Sequence, residues 1–261
     1  MHKHHSMNRR VCFHTIIALG VLAFATAASE VPARPSGGAG GTAGTFPNEE
    51  MAVGEQKRLY RLIVPETIDS KKAAPLVFAF HGLLDSKDLM PIYSQLDKLA
   101  AEKNFILVYP NGLNRHWPLI PQLATRDVHF FDALLEHLSK NYNIDLNRVY
   151  LTGMSNGAYF SNLLASMRSE KIAAIAPHSG GLGALALGPI NVKHKYAVFL
   201  VHGSADAIVK VDESRKALAA YRAAGHAVEF LEVPRLNHLW AHEVDVNHKL
   251  WSFFEAHPMQ K

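Results

Sequence analysis

Beyond its first 45 residues the chain alternates between two hydrophobic rhythms. Residues 56–64 (QKRLYRLIV) alternate polar and apolar positions, as a half-buried strand does, and end at Pro65; a short strand is expected just before them, near Met51. Residues 75–81 (PLVFAFH) and 105–109 (FILVY) are continuous apolar runs, which predict strands covered on both faces. Residues 172–176, 196–201 (YAVFLV) and 227–233 (AVEFLEV) read as further strands. Between these runs the period lengthens. Residues 91–102 carry Ile92, Leu96 and Leu99 at helical spacing, and residues 127–142 carry Val128, Phe131, Leu134, Leu135 and Leu138. Two more helices are expected over 212–224, where Gly225 is a good stop, and over 243–256. Strands alternating with helices predict an α/β fold, with a mostly parallel sheet of about seven to eight strands and helices on both faces. Such sheets bind ligands at the C-terminal ends of their strands.

One stretch organises the rest: residues 148–157, RVYLTGMSNG. Val149, Tyr150, Leu151 and Thr152 suit a strand, and residues 158–167 suit a helix. Between them stands Gly153-Met154-Ser155-Asn156-Gly157, a G-x-S-x-G pentapeptide. A sharp strand-to-helix turn forces its central residue into a strained backbone conformation, and glycines two residues to either side let strand and helix approach. The serine hydroxyl then stands at the sheet edge, above a helix N-terminus whose free N–H groups suit a developing oxyanion. Ser155 is the candidate nucleophile.

The beginning of the chain reads differently. A basic start, MHKHHSMNRR, leads into a mostly apolar stretch over 11–25 and small-residue sites near Ala25 and Ala27. Residues 1–28 are therefore expected to be a cleaved export signal, an uncleaved anchor being the alternative. The only cysteine, Cys12, lies inside it, so the mature chain would have no disulfide and no cysteine-based chemistry. The formal charge is +4, from 27 basic and 23 acidic residues. Removing Lys3, Arg9 and Arg10 with the signal leaves 24 against 23, about +1, which gives no nucleic-acid surface. The whole chain, 48% hydrophobic and 19% charged, suits a soluble globular domain, with no membrane contact expected once the signal is gone. Residues 29–45, rich in Gly, Pro and Ala, are expected to form a flexible linker to a domain over 46–261.

A serine near neutral pH needs a base, and the base needs an acid to hold its tautomer. The tips of two later strands offer both. Asp206 follows YAVFLV in the run His202-Gly203-Ser204-Ala205-Asp206, and His238 follows AVEFLEV. Their order, Ser155, Asp206, His238, is that of α/β-hydrolases. The other histidines have simpler readings: His178 and His202 as hydrogen-bonding groups near the site, His242 and His248 as solvated or packing residues. Asp212 suits a helix start and Asp245 the surface. His238 and His242, four apart, have no carboxylate partner that would make a metal site. His81-Gly82-Leu83-Leu84 follows a buried strand, where half of an oxyanion hole would sit, so the backbone N–H groups of Leu83 and Asn156 are the candidate donors. Trp117 and Trp240 are candidates to line an acyl or aryl pocket, with packing as the alternative for both. No phosphate loop, dinucleotide fingerprint or cofactor motif is present, and no cofactor is expected.

These residues together resemble the single-domain branch of the α/β-hydrolases that contains feruloyl and acetylxylan esterases and polyhydroxybutyrate depolymerase-like esterases. The resemblance lies in LVFAFHG (76–82), FILVYP (105–110), Asp127-Val128 with the following helix, DLNRVYLTGMSNG (145–157), AAIAP (173–177), Val201-His202-Gly203 with Asp206, and His238-Leu239-Trp240. It implies an α/β-hydrolase fold with little or no lid, and it puts the family's triad on Ser155, Asp206 and His238. It also implies a secreted serine esterase acting on small or oligomeric esters. Two departures bear on substrate. Leu83 stands where many extracellular members have a cysteine, and Trp240 is followed by Ala241 rather than by Pro-Gly. An acyltransferase or peptidase on the same triad, and a non-catalytic binding protein of the same fold, are the alternative readings.

Overall fold

Strand β3 (Ala74–Phe80) has every residue buried, and it lies in the middle of the sheet between β4 (Ile106–Pro110) and β5 (Ile144–Met154). The computed structural model describes Met1 and residues 31–260; apart from Met1, the expected export signal lies outside the described residues. The eight strands are ordered β1-β2-β4-β3-β5-β6-β7-β8, the others being β1 (Gly44–Val53), β2 (Gln56–Val64), β6 (Ala174–His178), β7 (Ala197–Gly203) and β8 (Val228–Val233). Strand β2 pairs antiparallel with both its neighbours, and every pair from β4 to β8 is parallel. The alternating β2 thus lies second from one edge, between β1 and β4, and the continuous apolar β3, β4 and β7 lie inside, as burial on one face or two requires.

The two faces of β3 feed two cores, because successive side chains of a strand point to opposite sides. Leu76, Phe78 and Phe80 pack with α3 (Pro121–Asn141), α4 (Asn156–Met167) and α5 (Asp212–Ala223), through Phe131, Leu134, Phe160 and Tyr221. Val77 and Ala79 pack on the opposite face with Leu96 and Leu99 of α2 (Leu96–Lys103) and with Leu250, Trp251 and Phe254 of α6 (Val246–Ala256). Each of the larger side chains contributes about 1.5–3 kcal/mol of burial.

Several expected boundaries move. The helix expected over 91–102 is two, α1 (Met90–Ser94) and α2, because Gln95 between them is left-handed at φ 53°. Helix α3 starts at Pro121 rather than at 127; proline suits a first helical position, and the mostly exposed residues before Asp127 carry no apolar stripe. Helix α6 begins at Val246, after a 3-10 turn over His242–Val244.

Of the expected linker over 29–45, the described residues 31–45 are instead seated on the domain. The Arg34 N–H donates to Asp145 Oδ1 at 2.7 Å, the Ser36 N–H donates to the Ile144 carbonyl at 2.8 Å, and Asn147 Nδ2 donates to the Pro32 carbonyl at 2.9 Å. Gly38 is buried, and a Cβ there would lie 2.5 Å from the Ser139 carbonyl oxygen. The folded unit accordingly begins at Val31. Main-chain hydrogen bonds and a glycine fitted against α3 hold this stretch, and neither leaves a hydrophobic rhythm.

Candidate active site

Ser155 stands between the end of β5 and the first residue of α4, at φ 54° and ψ −116°. That conformation costs a non-glycine residue about 1–3 kcal/mol and persists only where its surroundings impose it. Here they do. A Cβ on Gly157 would run into the carbonyl oxygens of Phe80 and His81, and one on Gly153 would lie 2.5 Å from the Gly157 carbonyl oxygen. The two glycines therefore let β5, β3 and α4 meet, and Ser155 takes up the turn left between them. Its own N–H donates to the His178 carbonyl at 2.9 Å.

Asp206 and His238 come from loops after β7 and β8, and the structure brings them together. His238 Nδ1 is 2.6 Å from Asp206 Oδ2. The Asp206 side chain is fully buried, whereas 17% of the His238 side chain is exposed. The other carboxylate oxygen, Oδ1, accepts from the N–H groups of Ile208 and Val209, each at 2.9 Å, and His202 Nε2 lies 3.3 Å from Oδ2. Burial pushes the carboxyl up, but the hydrogen bonds from His238 and the Val209 amide outweigh it and its pKa falls below the ordinary value. Asp206 is thus held ionised, facing the nitrogen that must carry a proton if the far nitrogen, Nε2, is to act as a base. Among the described residues no hydrogen bond joins Ser155 Oγ to His238.

His178 lies between the two corners. Its carbonyl takes the Ser155 N–H, and its ring stacks on Trp240 at 4.5 Å. Burial, reinforced by His202, pushes its imidazole down to about 3, so it is a neutral spacer. Tyr159, one helical turn beyond Ser155, is half-buried, and its phenol is pushed up to about 12 by burial and then by the charges of Glu213 and Asp206. The sequence reading did not single out Tyr159; its place four residues after Ser155, on the helix that follows, was the available signal.

Leu83 follows the buried pair His81-Gly82 and is 61% exposed, and Asn156 is the first residue of α4. Neither N–H has an acceptor among the described residues, as an oxyanion donor requires. The two tryptophans are both buried. Trp117 is 1% exposed, stacked on Phe160 at 4.9 Å and edge-on to Phe80, with its ring N–H given to the His81 carbonyl. Trp240 is 5% exposed, and its ring N–H is given to Asn247 Oδ1. Burial and the used ring N–H groups of both support the packing alternative. His242 turns its Nε2 to the Tyr93 carbonyl, away from any shared site with His238. Among the described residues no cluster of three or more His, Cys, Asp or Glu is placed to hold a metal ion, and no helix is long and apolar enough to cross a membrane.

Residues 120–246, which include Ser155, Asp206 and His238, match the family described as phospholipase/carboxylesterase. The chain is 30% identical over 151 residues to a bifunctional acetylxylan esterase/xylanase of Neocallimastix patriciarum, covering 57% of this chain and 22% of that protein. It is 30% identical over 173 residues to feruloyl esterase D of Neurospora crassa, covering 62% and 57%. The chain thus spans about a fifth and rather more than half of these two curated relatives. In three dimensions it is similar to a ferulic acid esterase with a TM-score of 0.67, at 16% identity, covering 80% of this chain and 96% of that one.

Proposed function

We propose that this chain, an α/β-hydrolase of the feruloyl/acetylxylan esterase-like group, is an exported serine carboxylic-ester hydrolase working through an acyl-enzyme. The observation that carries the reading is the 2.6 Å Asp206–His238 bond at the same sheet edge as a serine held at φ 54°. Ser155 Oγ attacks the ester carbonyl carbon while its proton passes to His238 Nε2. Asp206 holds Nδ1–H and stabilises the imidazolium that forms. The carbonyl oxygen, now negative, faces the N–H groups of Leu83 and Asn156. Collapse expels the alcohol, which takes the proton from His238. A water then gives its proton to His238 and attacks the acyl carbon; the acyl–Oγ bond breaks, Ser155 Oγ takes the proton back from His238, and the acid is released. No step calls for a cofactor.

The names of the relatives support feruloyl or acetyl esters of plant-polysaccharide type as substrates; hydroxyalkanoate oligomers, which the resemblance in sequence implies, are the further class. The basic, then apolar start of the chain supports export. The test is hydrolysis of short p-nitrophenyl esters, methyl ferulate and a 3-hydroxybutyrate oligomer by the purified protein and its Ser155→Ala variant. At least one class is expected to be hydrolysed, and the variant to lose roughly a thousandfold or more in kcat. A folded protein inactive on all three, or a variant as fast as its parent, contradicts the reading.

A further inference from the structure

Leu83 and Asn156 belong to segments far apart in sequence, so something must set the gap between their N–H groups. The segment after β4, residues 111–117, touches both sides. On one side, the Leu84 N–H donates to the Arg115 carbonyl at 2.8 Å, and the Arg115 guanidinium donates to the carbonyls of Leu84 and Asp85. The Gly112 N–H donates to His81 Nε2 at 2.9 Å. That bond leaves the ring proton on His81 Nδ1, which lies 2.7 Å from the Gly82 carbonyl oxygen. A trans peptide sets its N–H opposite its C=O, so fixing the Gly82 carbonyl also aims the Leu83 N–H.

On the other side, the Asn156 side chain grips the Trp117 main chain twice. Its Oδ1 accepts the Trp117 N–H at 2.7 Å, and its Nδ2 donates to the Trp117 carbonyl at 2.9 Å. The Trp117 ring is anchored between Phe80 and Phe160, so this grip ends on a rigid part of the core. Three non-glycine residues on the two facing loops are left-handed: Leu84 at φ 58°, Asn114 at φ 53° and Arg115 at φ 60°. Backbone in that region needs a surrounding structure that imposes it.

We propose that residues 111–117 form a bracket that sets the distance between the two oxyanion donors, with the side chains of Asn156 and His81 as its positioning residues. This rests on the esterase reading for its effect on turnover, though not for its mechanics. The bracket acts on the donors through hydrogen bonds to the segments that carry them, so its loss is expected to weaken binding of the tetrahedral state more than ground-state binding.

The test uses Asn156→Ala, which keeps the main-chain donor and removes the grip, and Arg115→Gly, which removes the guanidinium ties and relieves the strain at φ 60°. Hydrogen exchange of the 82–85 segment is measured in both, with kcat, KM and the affinity of a boronic acid that forms a tetrahedral serine adduct. Asn156→Ala is expected to speed exchange in 82–85, across the gap from the substituted residue. It is also expected to lower kcat by about ten- to a hundredfold and boronic-acid affinity by a similar factor, with KM within about twofold. Arg115→Gly is expected to shift each in the same direction by less. Unchanged exchange in 82–85 in both folded variants overturns the bracket whether or not the protein hydrolyses esters. Faster exchange with parental kcat overturns its role in the oxyanion hole. A parent with no esterase activity whose variants still exchange faster overturns the esterase reading and leaves the mechanical coupling standing.

Discussion

Ser155 and the Asp206–His238 pair stand at strand tips on one edge of the sheet, yet the chain holds them by different means. At Ser155 the constraint is steric: Gly153 and Gly157 leave no room for a methyl group, and the serine backbone is forced to φ 54°. At Asp206 the constraint is a set of hydrogen bonds, two amides on one oxygen and two imidazoles near the other. Non-bonded repulsion rises steeply with overlap, so the first corner has almost no tolerance. Hydrogen bonds can be exchanged for similar ones, so the second can change its chemistry while keeping its shape. The Ser155 corner is therefore tied to the fold, and the Asp206–His238 corner to the proposed reaction.

The largest expected effect breaks the first corner. Gly157→Ala would drive a Cβ into the Phe80 and His81 carbonyls, and a destabilisation of about 4 kcal/mol or more is expected, read as a steep fall in melting temperature or loss of soluble protein. A variant that melts with its parent would contradict the steric account. Next, Asp206→Asn keeps an acceptor for the Ile208 and Val209 amides but presents a neutral amide to His238. The melting temperature is expected to hold within a few degrees while kcat falls by about a thousandfold or more, the scale of a lost tautomer in such triads. Equal losses of stability and turnover would erase the distinction between the corners. The smallest effect is on acid stability. Asp206 titrates lower in the folded chain than in the unfolded one, so its contribution is complete above about pH 4 and is lost as pH falls through the lowered folded value. Acid titration of the unfolding free energy should therefore show a shallower decline for Asp206→Asn than for the parent.

The same contrast explains what could be read from the sequence. Continuous apolar runs place β3, β4 and β7 inside the sheet because burial on both faces leaves a plain compositional mark. The loops after β5, β7 and β8 could be marked as sources of Ser155, Asp206 and His238, since a parallel sheet brings such loops to one edge. Trp117 and Trp240 could not be placed, because both stand in irregular stretches where no period says which way a ring turns. The seating of residues 32–38 on the domain was hidden for a related reason: its hydrogen bonds are made largely by the main chain, which every sequence shares. The Asn156 grip on Trp117 and the His81 link to Gly112 join residues 39 and 31 positions apart, and no local pattern reports such contacts.

The central claim is that Ser155 is a nucleophile activated by His238. The most direct measurement is reaction of the native protein with a fluorophosphonate, followed by digestion and mass mapping of the labelled peptide. Stoichiometric label on the peptide containing Ser155, strongly slowed in His238→Ala, is the expected result. Label on another residue, or a folded protein that takes up none, would contradict it.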